Sequence, residues 1–267
     1  MFLVRPPAEE LTSRVEAFWS LRGEPGDGGR AFHEFFPDPA AHLILRLSSA
    51  GARLVLLGPV TALAAVERDG AAEYLGLRFR AGQAPALADV LPAELTDAHL
   101  ELTRLGGLQV DDLAEALARQ ADPAARQRLL EQLLLRAPPL VRSARARRAA
   151  ALVEARAGQL RVEDLAGALG MHVRSLERLC RGELGMSPKR LARLARLRHV
   201  LLRLEAGGFG TLAALAHACG YADQPHLIRD FKALTGRSPG DRAGIRPRRL
   251  GDAPDAAVVH RYRTPGR

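Results

Sequence analysis

The feature that most constrains the fold of this chain is an internal repeat in its second half. The segment LAGALGMHVRSLERLCRGELGMSP, residues 165–188, aligns with LAHACGYADQPHLIRDFKALTGRSP, residues 215–239. The offset is 50 residues before the central turn and 51 after it, since the second copy has one more residue in its turn. Each copy is predicted to form a short helix, a glycine-containing turn and a second helix, which is the layout of a helix-turn-helix.

Apolar residues at helical spacing give each copy a small core of its own. Residues 187–208 between the copies predict one long amphipathic helix, with Ser187 as its cap, Pro188 in its first turn and glycines at its end. We expect this helix to fix the relative placement of the two copies. The predicted core residues are Leu165, Leu169, Leu176 and Leu179 in the first copy and Leu215, Cys219, Leu227 and Phe231 in the second.

The stretch ADQPH, residues 222–226, separates two apolar segments of the second copy. Asp223 is a typical N-cap residue, and Pro225 is tolerated in a first helical turn, where its missing N–H is not needed. The stretch therefore begins the second helix of the second copy. In a helix-turn-helix, this end of the helix directs base-reading side chains into the DNA major groove.

Positive charge is concentrated in the half of the chain that contains the repeat. Residues 1–138 hold 14 Lys or Arg against 19 Asp or Glu, a net charge of −5, whereas residues 139–267 hold 25 against 11, a net charge of +14. A general preference for Arg explains why Lys is rare, but it does not explain this asymmetry. A basic half beside an acidic half is expected when one domain binds a polyanion and the other does not.

The first half is dominated by short β-prone segments, at residues 42–48, 52–58 and 72–82. Gly, Pro and Asp punctuate them at intervals that suit an antiparallel sheet or barrel. Apolar residues then take helical spacing at residues 87–91, 108–119 and 123–136, with Asp122 and Pro123 as a helix start. We therefore expect an α+β fold with three parts: a β-rich, barrel-like domain with trailing helices over residues 1–138, an all-α domain of two helix-turn-helix units joined by a long helix over residues 139–240, and a basic, loosely ordered tail over residues 241–267.

Composition argues against several other classes of protein. The chain has no run of 18 apolar residues, and its amino terminus has acids and a proline pair where a signal peptide needs an apolar core. The two cysteines, Cys180 and Cys219, do not form a CxxC motif. We therefore expect a soluble, cytoplasmic protein without a membrane partner, a disulfide scaffold, a structural zinc site or a cofactor.

The tandem units and their connecting helix resemble the DNA-binding domain of AraC/XylS-type bacterial transcription regulators. The resemblance covers about residues 141–240 and is carried by GYADQPHLIRDFKALTGRSP and LGMSPKRLARLARL. The first half is similar to an amino-terminal domain of one branch of that family, through VEAFWSL, FFPDPAAHLIL, LGLRFRAG and LPAELTDAHLEL. Two positions depart from the family pattern, because Pro225 replaces the usual Ser and Cys180 stands where an aromatic residue is common.

This resemblance implies a transcription regulator, and not an enzyme, that binds duplex DNA. It implies a β-rich domain that senses a small-molecule effector or mediates homodimer formation, and RNA polymerase as a further partner. The implied DNA-contacting positions are the exposed residues of the second helix in each copy: His172, Arg174, Ser175, Glu177 and Arg178 in the first, and Asp223, Gln224, His226 and Arg229 in the second.

These positions have a chemical reason to contact DNA and a structural alternative. Arg174 and Arg178 lie four residues apart on one helix face, where they can bridge guanine O6 and N7, hold a phosphate or simply be solvated. Gln224 offers the paired donor and acceptor that match adenine, and Arg229 can hold a phosphate. Asp223 can act as a cap alone. For His226, capping of the helix or packing against the turn is an alternative to base contact.

Two other function classes stay open on the sequence. His33, Glu34 and His42 surround the segment HEFFPDPAAH, so a metal-dependent barrel enzyme fused to a DNA-targeting domain is one alternative. Their spacing lacks the His-x-His pattern that a cupin-type metal site would use. An architectural DNA binder without sequence preference is the other, although the acidic first half and two different reading helices argue against it. Cysteines at helix core positions are expected to be buried and inert.

Overall fold

The structure of the chain is a computed structural model that describes residues 2–22, 31–68, 72–104 and 108–240. Strands and turns dominate these residues up to position 101, and α-helices dominate from position 108 onward. The strands are β1 (Phe2–Arg5), β2 (Val15–Arg22), β3 (Ala31–Phe35), β4 (His42–Ser48), β5 (Gly51–Leu57), β6 (Ala64–Arg68), β7 (Glu73–Phe79) and β8 (His99–Glu101). The predicted α+β fold class is therefore confirmed.

Six of these strands form one antiparallel sheet in the order β1-β2-β7-β4-β5-β8, and β3 pairs with β6 in a separate two-stranded ribbon. Leu45 of the central strand β4 lies opposite Leu54 of β5 on one side and Leu75 of β7 on the other. Leu43 and Leu45 are buried whereas Ile44 between them is half-buried, as expected for a strand with one face against a core.

Two helices cover the buried face of this sheet. They are α1 (Leu108–Arg119) and α2 (Pro123–Arg136), and both coincide with the predicted segments. Asp122 caps α2 as predicted, since its carboxylate accepts hydrogen bonds from the backbone N–H groups of Ala124 and Ala125 at 3.0 and 3.2 Å. Leu117, Leu130 and Leu134 of these helices share one hydrophobic cluster with Phe18, Leu43, Leu45, Leu54, Leu56, Leu75, Leu77 and Phe79 of the sheet.

The helical spacing predicted for residues 87–91 is wrong, because this segment has no regular secondary structure. Pro85 and Pro92 bracket it and leave too few residues for a helix to propagate. The neighbouring backbone is engaged elsewhere: the N–H of Ala86 donates to the carbonyl of Pro138 at 2.9 Å, and Leu140 donates to Ala84 at 2.8 Å. A short window with a Leu at each end cannot distinguish this arrangement from a helix.

Six helices form the remainder of the described chain: α3 (Ala144–Ala155), α4 (Val162–Ala168), α5 (Val173–Leu184), α6 (Pro188–Ala206), α7 (Leu212–Ala218) and α8 (Gln224–Thr235). The long connecting helix is confirmed as α6. The Ser187 hydroxyl accepts a hydrogen bond from the N–H of Arg190 at 3.3 Å, and Gly207 ends the helix. The predicted basic tail, residues 241–267, lies outside the described residues.

An ionic cluster joins the two halves of the chain around Arg78 of β7, a side chain that is only 7% exposed. Its guanidinium makes two hydrogen bonds of 2.7 Å to the carboxylate of Asp38 and a further close one to Glu16. Glu154 of α3 lies 3.6 Å from Arg78, and Arg198 of α6 pairs with the second oxygen of Glu16. The sheet is thereby tied to both the first helix and the connecting helix of the second half.

None of the helices in the described part of the chain is long and apolar enough to cross a membrane.

Candidate nucleic-acid interface

The two predicted helix-turn-helix units have the same backbone plan. In the first, α4 and α5 flank a turn in which Gly170 has φ +62°, and the N–H of Met171 donates to the carbonyl of Ala166 at 2.9 Å. In the second, α7 and α8 flank Gly220 with φ +73°, and Tyr221 donates to Ala216 at the same distance. A positive φ is the conformation that glycine adopts without a steric cost, so the repeated glycines have a structural reason.

Side chains at matching positions of the two units are buried in one continuous cluster. The pairs Leu165 and Leu215, Leu176 and Leu227, and Cys180 and Phe231 are each at most 2% exposed. The predicted core residues Leu169 and Leu179 are only half-buried and pack at its edge. Burial raises the pKa of the Cys180 and Cys219 thiols to about 11, so both stay protonated at neutral pH, as expected of inert core cysteines.

The first reading helix, α5, presents a basic stripe to solvent. Arg174 and Arg178 are exposed, and Arg181 follows them at the next turn of the same face. His172 lies at the exposed N-cap position, whereas Ser175 and Glu177 are half-buried beside the stripe. Arg181 was not among the predicted site residues, although its spacing of seven from the first arginine could have identified it.

The second reading helix, α8, begins at the predicted place. Oδ1 of Asp223 accepts a hydrogen bond from the N–H of His226 at 2.6 Å, which confirms the cap. Gln224 is half-buried at the first helical position, and Arg229 is exposed. The His226 ring packs edge-to-face on Tyr221, with ring centroids 5.2 Å apart, so the packing alternative accounts for its position.

A polar cluster that the sequence did not reveal fastens α8 to the connecting helix. The carboxylate of Asp230 accepts a close hydrogen bond from Arg193 of α6 and one of 3.1 Å from the hydroxyl of Tyr221. Arg196 of α6 lies over the Tyr221 ring at 5.3 Å and donates to the carbonyl of Gly158 at 2.9 Å. Burial, together with the neighbouring Asp230 carboxylate, raises the pKa of Tyr221, so its hydroxyl stays protonated and can donate.

Of the three residues considered for a metal site, His42 is the one whose side chain the structure describes. Nε2 of His42 lies 3.7 Å from Asp38, which is itself bound to Arg78, and the His42 ring meets the edge of Phe35. Within residues 2–22, 31–68, 72–104 and 108–240, no group of three or more His, Cys, Asp and Glu side chains could hold a metal ion. The side chains at positions 33 and 34 lie outside the described part of the structure.

Two family matches fall on the two halves of the chain. Residues 165–243 match the family described as Helix-turn-helix domain, and residues 4–101 match the family described as Domain of unknown function (DUF6597). The first match covers the helix between the two units and all but the first three residues of the units, and the second covers all but the first two residues of the antiparallel sheet. A comparison with curated proteins finds no match.

Three solved structures are similar to parts or most of the chain. The C-terminal domain of AraT, a response regulator from Geobacillus stearothermophilus, is 27% identical over 36% of this chain and 81% of its own, with a TM-score of 0.35. A transcriptional regulator from Chromobacterium violaceum described as an AraC-type DNA-binding domain-containing protein is 25% identical over 40% of this chain and 88% of its own, with a TM-score of 0.32. ToxT from Vibrio cholerae is 10% identical over 90% of this chain and 97% of its own, with a TM-score of 0.47.

The family matches agree with the resemblance that the repeated motif carries in the sequence. The repeat and the capped connecting helix lie within the first matched range, and nearly all of the antiparallel sheet lies within the second. The chain therefore joins a domain that matches the DUF6597 family to a helix-turn-helix domain, and the helix-turn-helix match supports a DNA-binding transcription regulator.

Proposed function

We propose that the protein recognises a specific DNA sequence with two reading helices, α5 and α8, which enter successive major-groove segments of one duplex. The observation that carries the proposal is the repetition of one backbone plan at both ends of α6. A single helix of 19 residues, about 28 Å long at 1.5 Å per residue, spans a distance comparable to one turn of DNA. Because the two helices differ in sequence, the recognised site should be asymmetric.

The proposed DNA contacts follow from the chemistry and exposure of the side chains. Arg174 and Arg178 are proposed to bind guanine edges or phosphates from α5, and Gln224 to read adenine from the start of α8. Arg229 is exposed on α8 and suits a phosphate. His172, Ser175, Glu177, Asp223 and His226 complete the proposed interface as flanking positions.

We propose a division of labour within the chain at the Pro138-Pro139 pair. Residues 1–138 would form the effector or dimerisation domain, residues 139–240 the DNA-binding domain, and residues 241–267 a basic extension. Two separate hydrophobic clusters support this division, one built on the sheet with α1 and α2 and the other on α3 to α8. Leu135 of α2 is 54% exposed and offers an apolar contact for a homodimer.

The effector is proposed to be a small molecule that binds between the sheet and the helical half. A cleft of about 360 Å³ lies there, lined among others by Glu16, Arg80, Glu154 and Arg198. Charges of both signs suit a polar ligand. Filling the cleft with Ala155→Trp should abolish any ligand-induced rise in melting temperature.

Regulation in a bacterial cytoplasm would also bring the bound protein next to RNA polymerase, which we include as a partner.

Selection from a pool of randomised duplex DNA with the full-length protein tests the proposal. The expected result is one asymmetric motif with two sub-sites, whose centres lie about one helical turn apart. A palindromic motif bound by one protein molecule, or a single short sub-site, would contradict it. Recovery of DNA without any sequence preference would favour the architectural alternative.

A further inference from the structure

The β-rich half contacts the ends of both reading helices. Thr96 lies against Gly185, the residue that follows α5, because a Cβ on this glycine would stand 2.0 Å from the Thr96 hydroxyl oxygen. The backbone N–H of Leu63 donates to the carbonyl of Leu234 in the last turn of α8, at 3.1 Å. Both contacts are at carboxy-terminal ends, so they leave the amino-terminal ends that are proposed to read DNA uncovered.

Leu63 belongs to a tightly held loop, residues 58–63, which we name the docking loop. Asp97 holds this loop through both carboxylate oxygens: Oδ1 accepts from the N–H of Thr61 at 2.6 Å, and Oδ2 accepts from its hydroxyl at 2.5 Å. The backbone N–H of Asp97 also donates to the carbonyl of Pro59 at 2.8 Å. Asp97 has φ +55°, a backbone conformation that costs energy in most residues. The three hydrogen bonds of Asp97 offset this cost.

The docking loop also contacts the connecting helix. The carbonyl of Thr61 accepts a hydrogen bond from the guanidinium of Arg190, in the first turn of α6, at 3.2 Å. The end of α5, the start of α6 and the end of α8 therefore all rest on one surface of the β-rich half, formed by the docking loop and by residues 93–96. A change in this surface would be transmitted to both helix-turn-helix units.

The covalent connection between α6 and the second unit provides little restraint by itself. Gly207, Gly208 and Gly210 all have positive φ in this connection, and apart from each glycine and its two chain neighbours no described heavy atom lies within 4 Å of a Cβ built on any of them. Glycines in open space allow the backbone to rotate freely. The orientation of the second unit must therefore come from contacts, namely the apolar core that it shares with α6, the polar cluster around Asp230 and the docking loop.

We propose that the β-rich half is a brace that fixes the spacing of the two reading helices, with Asp97 as the positioning residue. This proposal rests on the proposed reading of DNA by α5 and α8. Inserting one base pair between the two sub-sites moves one of them by about 3.4 Å along the duplex and by roughly 35° around it. A braced pair of helices should reject that change, whereas a pair held only by α6 and the apolar core shared with it should adapt to it more readily.

The full-length protein tests this on the DNA motif recovered from the randomised pool, with base pairs inserted or removed between the sub-sites. Asp97→Gly removes the carboxylate while permitting the positive φ, and Asp97→Asn keeps an oxygen that can accept from the N–H of Thr61. Wild type and Asp97→Asn should lose about tenfold in affinity for one inserted base pair, and Asp97→Gly less than about threefold, with the base preference within each sub-site unchanged. A loss of folding alone would lower affinity equally for every spacing.

A second pair of variants approaches the brace from the helical side. Gly185→Ala and Gly236→Ala alter equivalent positions with φ of +70° and +72°, but only the first would push into the β-rich half. Only Gly185→Ala should relax the spacing preference. If Asp97→Gly folds and shows the same spacing preference as wild type, the proposed brace is wrong. If Asp97→Gly does not fold, identical spacing preferences of Gly185→Ala and Gly236→Ala would overturn the proposal instead. Failure of wild type to yield two sub-sites would instead overturn the proposed function.

Discussion

The hydroxyl of Tyr221 lies 3.1 Å from Oδ2 of Asp230, and Oδ1 of the same carboxylate accepts a hydrogen bond from Arg193 of α6. The matching positions of the first unit are Met171 and Leu179. Both units share an apolar core with α6, and the second adds a polar contact that the residue types at the matching positions of the first cannot make. A buried polar group restricts orientation more than an apolar one, because it is costly to leave without its partner.

Removing the Asp230 carboxylate should therefore destabilise the helical half. Asp230→Ala leaves the hydroxyl of Tyr221, a residue only 3% exposed, and the guanidinium of Arg193 without their acceptor. We expect the free energy of unfolding to fall by about 1–3 kcal/mol, measured by denaturant titration. Glu163→Ala is the matched control, since its 3.4 Å pair with Arg161 is exposed and should contribute less than about 0.5 kcal/mol. Equal losses in the two variants would show that the polar cluster does not fasten α8.

Alanine at Gly185 should cost more stability than alanine at Gly236. Both substitutions force a positive φ on an L-residue, which costs about 1–2 kcal/mol. Only at Gly185 does the new Cβ also meet a neighbour, the hydroxyl of Thr96, so a further cost of about 1–3 kcal/mol is expected from overpacking. Melting temperatures of the two variants measure this difference.

Thr96→Ala should partly restore the stability of the Gly185→Ala variant, because it removes the hydroxyl that the new Cβ meets. The hydroxyl oxygen of Thr96 is buried and has no hydrogen-bond partner among the described residues, so its removal alone should cost little. Added to Gly185→Ala, the same change should restore part of the lost melting temperature. A double variant no more stable than Gly185→Ala would mean that the methyl group is accommodated in another way.

The helical half could be predicted down to individual caps, because its determinants are local in the sequence. Ser187 and Asp223 each accept a hydrogen bond from a backbone N–H three residues later, as the capping pattern predicts. The repeat then placed the two turns and the buried positions without knowledge of tertiary contacts. Only the edge of the first unit's core was misjudged, since Leu169 and Leu179 are half-buried.

The sheet was only partly predictable, because strand pairing is non-local. β2 pairs with β7 across almost sixty residues, with Phe18 opposite Leu77, and nothing in either segment alone specifies the other. The polar cluster of Asp230 was missed for the same reason, since Arg193 lies far away in sequence and all its members are ordinary surface residue types. Charge in a helical pattern is normally solvated, and only the packing of α8 on α6 buries it.

The buried pair of Asp38 and Arg78 should make stability depend on pH in the acid range. Burial alone would raise the pKa of Asp38, but the Arg78 guanidinium and His42 outweigh it and hold that pKa well below its usual 3.8. A carboxylate with a lowered pKa in the folded state stabilises the fold above its unfolded pKa and loses this contribution as the pH falls through the folded pKa. Burial raises the pKa of Glu154, although Arg78 opposes this shift. Ionisation of Glu154 therefore lowers the stability of the fold as the pH rises above 4.5.

Asp38→Asn isolates the contribution of that pair. We expect the variant to be less stable than wild type at pH 7 by about 1–3 kcal/mol, because Arg78 keeps Glu16 and Glu154 as partners, and the difference should shrink below about pH 4. Melting temperatures between pH 3 and pH 7 measure both effects. A difference from wild type that stays constant over this range would show that the ionised carboxylate is not the stabilising group.

Reading DNA and supporting the fold should be separable within α5 and α8. Arg174 of α5 is exposed and Gln224 is half-buried at the start of α8, whereas Leu227 of α8 is fully buried. Arg174→Ala and Gln224→Ala should leave the melting temperature within about 1–2 °C of wild type, because surface changes rarely exceed about 0.5 kcal/mol. Each should relax base preference at a different position of the site, by about 1–3 kcal/mol per base pair.

Leu227→Ala should instead destabilise the fold by about 2–5 kcal/mol, since it opens a cavity beneath α8. Selections on randomised duplexes, paired with thermal melts, measure both properties in each variant. Unchanged base preference in both polar variants would leave the ADQPH stretch as a capped turn without a role in reading.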